Sequence, residues 1–100
     1  MQDQLIRVTL LTQANCHFCD DAHTMLERLG AEYPLTIEIR DLSEPENQEL
    51  ALRHGLLFPP GIIIDGSPVG YGRPSQGRLR RVLEARRAGV GPQSDHGQAR

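Results

Sequence analysis

With only two cysteines, this 100-residue chain cannot build a four-cysteine zinc site. No apolar run approaches the roughly 20 residues that a membrane-spanning helix needs. The opening Met1-Gln2-Asp3-Gln4 lacks the basic stretch and apolar core of a signal peptide. Those two absences lead us to expect a soluble, cytoplasmic protein. The formal net charge of -2 gives no electrostatic reason for binding nucleic acid or an anionic membrane. Lysine is absent, and arginine supplies every basic side chain apart from histidine, a usage that fits a GC-rich genome. Tryptophan is absent too and aromatics are few, but the hydrophobic fraction of 38% is ordinary. A chain of this length holds one small core and not two. There are no internal repeats.

What is present concentrates in Asn15-Cys16-His17-Phe18-Cys19-Asp20-Asp21, which holds both cysteines at C-x-x-C spacing. Before it, residues 5–11 form an apolar run of strand length. After it, Ala22, Met25, Leu26 and Leu29 recur at helical spacing as far as Gly30. The pair is therefore expected where a strand turns into a helix, with Cys16 at the helix N-terminus. Unpaired backbone N–H groups and the helix dipole favour a thiolate there over a thiol, whose free pKa is about 8.5. A histidinium at His17 would act in the same direction. Asp20 and Asp21 complement the dipole but oppose a nearby thiolate. Thiolates carry out thiol–disulfide exchange, so Cys16 is the expected nucleophile. Cys19, one turn on and more buried, is expected to resolve the mixed disulfide. A structural disulfide is the bland alternative. A metal site is the other: Cys16, Cys19 and His23 share a helical face, with His54 or Asp20 as a further ligand. In a reducing compartment, a lone cysteine pair points to catalysis or metal binding before a structural staple.

Taken in order, residues 4–12 read as a strand buried on both faces, hence central in a sheet. The first helix spans about 16–29. Residues 35–40 alternate as an edge or half-buried strand does. Ser43 and Glu46 have the spacing of a capping box for a second helix ending near His54, with Leu50 and Leu52 as its buried residues. Ile62, Ile63 and Ile64 form a short buried strand, and Asp65-Gly66 signals a hairpin into a strand over 68–71. Pro59-Pro60 belongs at the entrance of the isoleucine strand, since proline donates no ladder hydrogen bond. Ser75 caps a last helix to about Ala88. That helix turns Leu79, Val82 and Leu83 to the sheet and Arg78, Arg80, Arg81 and Arg87 to solvent. The domain thus covers 1–88, and 89–100 is expected to be a disordered tail.

This order, with C-x-x-C opening the first helix and Pro60-Gly61-Ile62-Ile63-Ile64-Asp65-Gly66 after it, resembles the glutaredoxin and thioredoxin superfamily. It is most similar to small glutaredoxin-like proteins, over about residues 4–88. The resemblance implies an α/β thioredoxin-like fold: a mixed four-stranded central sheet in βαβαββα order, flanked by three helices. It also implies that Pro60 is a cis-proline lying against the cysteines. The residue before it, here Pro59, pairs its backbone with substrate. Because Pro59 has no N–H, one recognition hydrogen bond worth about 0.5–1.5 kcal/mol is lost. Phe18, between the cysteines, is expected to be partly exposed beside them.

Several positions depart from the glutaredoxin pattern. Gln13 stands where a basic residue meets a glutathione carboxylate, and Phe58 where a threonine is usual. Gly70-Tyr71-Gly72-Arg73-Pro74-Ser75 replaces a double glycine and its polar successors. Gly72, Arg73 and Gln13 are the remaining candidates for holding a thiol's carboxylate, and the case for glutathione itself is weakened. Some GC-rich bacteria use another low-molecular-weight thiol instead. The expected function is that of a monomeric, glutaredoxin-like dithiol–disulfide oxidoreductase. It would need no cofactor beyond a redox-active Cys16–Cys19 disulfide, would reduce protein or mixed disulfides, and would take electrons from a thiol or a reductase. A metal or iron–sulfur carrier using the same cysteines is the alternative.

Overall fold

A computed structural model describes residues 5–89. Its elements are β1 (Ile6–Thr12), α1 (His17–Leu29), β2 (Leu35–Asp41), α2 (Pro45–Arg53), β3 (Gly61–Ile64), β4 (Ser67–Tyr71) and α3 (Gln76–Arg87). The strands form one sheet in the order β2-β1-β3-β4. β1 lies inside it, parallel to β2 and antiparallel to β3, and β4 returns antiparallel to β3. The apolar run of β1 therefore sits where a strand covered on both faces belongs, and the alternating β2 takes an edge.

Side chains alternate across β1 and divide the core. Ile6, Val8 and Leu10 join Ile62 and Ile64 beneath α1 and α3, which contribute Ala22, Leu26, Leu29, Leu79 and Leu83. On the other face, Leu11 and Ile63 pack with Ala51 of α2 and with Leu56. Asp65 and Gly66, with φ of 49° and 85°, turn the β3–β4 hairpin in the left-handed region that short hairpin loops require. Pro68 is tolerated because β4 is an edge strand.

Three expectations need correction. The Ser43–Glu46 capping box does not form. Glu44 is the N-cap of α2, without a side-chain cap bond, and Pro45 supplies the preset first-turn φ. The Ser43 N–H instead goes to Asp41 Oδ1 at 2.7 Å, which holds the Asp41 carboxyl below its usual pKa. Leu52 is exposed, since α2 turns Ala51 and part of Leu50 inward. Most of the arginine face of α3 is engaged within the domain. Arg80 binds Glu32, Arg87 binds Glu84 at 2.9 Å, and Arg78 donates to the Val69 carbonyl at 3.0 Å. Arg81 remains exposed. The tail expected over 89–100 lies outside the described residues beyond Gly89. Among the described residues, no helix is long and apolar enough to cross a membrane.

Strand direction decides where the chemistry gathers. β1, β2 and β4 run the same way, and each leads into a helix. The N-termini of α1, α2 and α3 therefore collect at one end of the sheet. Because Leu11 pairs with Gly61, the loop leaving β1 and the segment entering β3 meet at that same end.

Candidate active site

Asn15 turns the chain out of β1 with φ of 57°, a conformation asparagine adopts more readily than most residues. Cys16 follows as the N-cap of α1, with extended backbone. Its sulfur accepts the Cys19 N–H at 3.1 Å, and its carbonyl accepts the Asp20 N–H at 3.2 Å. In this way Cys16 occupies the position that a capping serine or aspartate takes in other helices. The two cysteines are joined as a disulfide, with Cα atoms 5.2 Å apart. Cys19 is buried at 3% exposure, whereas Cys16 is half-buried and reachable.

The neighbours of the pair are largely exposed. The exposed His17 imidazole lies 3.6 Å from Asp21 Oδ2, one turn along. Phe18 is 42% exposed, and the Arg73 guanidinium sits 5.9 Å above its ring. Arg73 follows Gly72, whose N–H donates to the Pro60 carbonyl at 2.8 Å. Through these contacts the Pro60 segment and the turn after β4 flank the cysteine-bearing helix end. The Pro59–Pro60 peptide bond is cis, and Pro60 is fully buried. Among the described residues no group donates to the Pro59 carbonyl. A groove of ≈ 340 Å³ opens beside Pro60, lined by Ile62, Tyr71, Gly72, Arg73 and Arg78 among others.

The small-thiol candidates separate in space. Arg73 stands on the rim, its guanidinium against Phe18. Gln13 is exposed on the loop after β1 and lines neither groove that Arg73 lines. The Gly72 N–H is already used by Pro60. The metal constellation does not assemble. His23 pairs with Glu27 at 3.4 Å, and His54 lines a groove on the face of the sheet where α2 packs. No group of three histidine, cysteine or carboxylate side chains comes together among the described residues.

In the sequence, Phe58 and the Tyr71 segment stood out only as departures from the glutaredoxin pattern, and the pairing of the two side chains was missed. Their rings meet edge to face, centroids 4.9 Å apart. The signal was present, in a phenylalanine next to Pro59-Pro60 and a tyrosine between two glycines. Only the β3–β4 pairing brings them together.

Comparison with known proteins agrees with this geometry. A thioredoxin of Methanocaldococcus jannaschii is 26% identical over 81 residues, covering 81% of this chain and 95% of that protein. A thioredoxin-like protein from Clostridium perfringens superposes with a TM-score of 0.68 at 17% identity, covering 93% of this chain and 79% of that one. Wheat glutaredoxin gives 0.56 at 21% identity, over 84% and 81% of the two chains. Residues 7–84 match the family model described as Glutaredoxin-like domain (DUF836). The chain thus belongs to the glutaredoxin-like family within the thioredoxin superfamily, and thiol–disulfide redox chemistry is its functional class.

Proposed function

We propose that this protein is a dithiol–disulfide oxidoreductase that reduces disulfides of proteins or of low-molecular-weight thiols. The Cys16 thiolate attacks one sulfur of the substrate disulfide, forms a mixed disulfide and expels the other substrate thiolate. The Cys19 thiolate then attacks Cys16 Sγ and releases the second substrate thiolate. The two electrons come from the dithiol, which is left as the Cys16–Cys19 disulfide, and an external thiol or reductase returns them. No cofactor beyond this disulfide enters the scheme, and a monomer in the cytoplasm suffices for it.

The observation that carries this reading is the N-cap position of Cys16. Its sulfur accepts the Cys19 N–H at 3.1 Å, at a helix end whose dipole favours negative charge. Cys19 is buried behind it, so only one sulfur of the pair is open to attack a large substrate. In the substrate complex, the free Pro59 carbonyl accepts one backbone N–H of the substrate, and Pro60 holds the extended segment against the sulfurs. His17 and Phe18 shape the approach. Of the three candidate carboxylate contacts, Arg73 brings a charge, Gln13 only an amide, and Gly72 no spare donor.

Reduction of insulin and of small mixed disulfides tests the proposal. Cys16→Ser is expected to lower turnover to background, and Cys19→Ser to accumulate a covalent substrate adduct visible by mass spectrometry. Wild-type protein no faster than Cys16→Ser would reject the enzyme.

A further inference from the structure

We infer that Phe58, stacked on Tyr71, is a specificity-determining residue. It selects polypeptide disulfides that carry an apolar side chain beside the reactive cysteine. This rests on the oxidoreductase reading above and goes beyond it by naming the substrate class.

Phe58 lies two residues before Pro60, at the sheet end that holds the cysteines, yet its side chain is 57% exposed. One edge of the ring is fixed by Tyr71 at 4.9 Å, in a T-shaped arrangement with an interplanar angle of 80°. The ring also roofs the turn after β4. A Cβ placed on Gly72 would come 2.9 Å from Phe58 Cε1, so any larger residue there would have to push the ring aside. Gly72 has φ of 78°, which selects glycine independently.

This arrangement has two consequences. The backbone of the turn is covered on that side, and its Gly72 N–H is spent on Pro60. A small acidic thiol therefore loses the turn's N–H as a carboxylate donor and has the groove arginines, Arg73 and Arg78, in its place. The open face of the ring instead faces solvent, as do apolar side chains beside it in sequence or in contact with it. Leu57 is 70% exposed and Tyr71 40%, and Phe18, 42% exposed, lies under the Arg73 guanidinium of the turn that Phe58 covers. An extended substrate that donates one N–H to Pro59 places a neighbouring side chain near this shelf. Burying an apolar group against an aromatic pair lowers KM for that substrate and contributes nothing for a small disulfide.

Single-turnover oxidation of the pre-reduced full chain tests this without a reductase. The probes are a peptide with one disulfide and leucine beside the attacked cysteine, the same peptide with serine there, and dihydroxyethyl disulfide. Wild-type protein is expected to react roughly three- to tenfold faster with the leucine than with the serine peptide, the range an aromatic contact supplies. Phe58→Ala is expected to bring that ratio close to one. The ratio is taken within one preparation, so partial unfolding of the variant cancels. Leu52→Ala, on the exposed face of α2, serves as the control and should keep the wild-type ratio. A leucine-to-serine ratio that survives Phe58→Ala overturns the assignment of Phe58. If no probe oxidises wild-type protein faster than it oxidises free dithiothreitol, the oxidoreductase reading fails with it.

Discussion

The two ends of the sheet are built on opposite terms. At the end away from the cysteines, polar groups are paired off. The buried Tyr33 donates its hydroxyl to Glu84 at 2.7 Å, and Arg87 lies 4.8 Å from the Tyr33 ring centroid. Arg80 grips Glu32 across the α1–β2 connection. At the hairpin, Asp65 receives Arg86 at 2.7 Å on one oxygen and the Arg7 N–H at 3.0 Å on the other. At the cysteine end, aromatic rings face solvent, the Pro59 carbonyl has no donor among the described residues, and the Arg73 guanidinium lies over the exposed Phe18 ring. One pole clamps the termini of α1, β2 and α3 together. The other leaves contacts open for a partner. The cysteines and the exposed rings thus stand at the end of the sheet opposite this cluster of side-chain pairs.

Substitutions at the two poles should separate these roles. The largest expected effect is at the open pole. Cys16→Ser should remove all turnover, while its melting temperature in reductant stays near that of reduced wild-type protein, because serine is a good N-cap. A large drop in melting temperature would show that the sulfur itself holds the helix end. At the closed pole, Tyr33→Ala empties a buried aromatic site and should lower the melting temperature by more than about 10 °C. Turnover per folded molecule should stay unchanged, and a matching loss of turnover would erase the division between the poles.

Gly72→Ala is expected to cost about 1–3 kcal/mol in urea unfolding, from left-handed backbone strain plus the clash with Phe58. Adding Phe58→Ala should recover the steric part and leave the backbone part. Strict additivity in that cycle would mean the ring does not sit on Gly72.

The smallest effect is on pH dependence. Hydrogen bonds from Arg80 and from the Tyr33 hydroxyl hold the Glu32 and Glu84 carboxyls, respectively, below their ordinary pKa. A carboxyl whose folded pKa lies below its unfolded value of about 4.3 adds stability above that pH and loses it as pH falls through the folded value. Urea midpoints should therefore be flat from about pH 7 to 5 and fall below about 4. The fall should be shallower in a Glu32→Gln, Glu84→Gln double variant. Asp41 is lowered independently by Ser43 and leaves a residual slope. An identical fall in wild type and double variant would assign the acid sensitivity elsewhere.

Much of this molecule was readable from local chemistry. The change of hydrophobic period at Cys16, the Asp65-Gly66 turn, the Ser75 cap and the buried isoleucines all depend on neighbours within a few residues. Each lies where its pattern placed it, with Ser75 Oγ accepting the Arg78 N–H at 3.2 Å. The Ser43–Glu46 spacing misled because Asp41, two residues upstream, competes for the Ser43 N–H. Leu52 misled because a nine-residue helix buries a narrow stripe, and Ala51 occupies it.

The sequence by itself determined the order of the elements and the sulfur at a helix start, because backbone preference and side-chain periodicity act over a few residues. Only the tertiary structure decided which ring covers which glycine and which arginine meets which carboxylate. Those outcomes depend on strand direction and register, which join segments tens of residues apart and leave no mark on either segment alone.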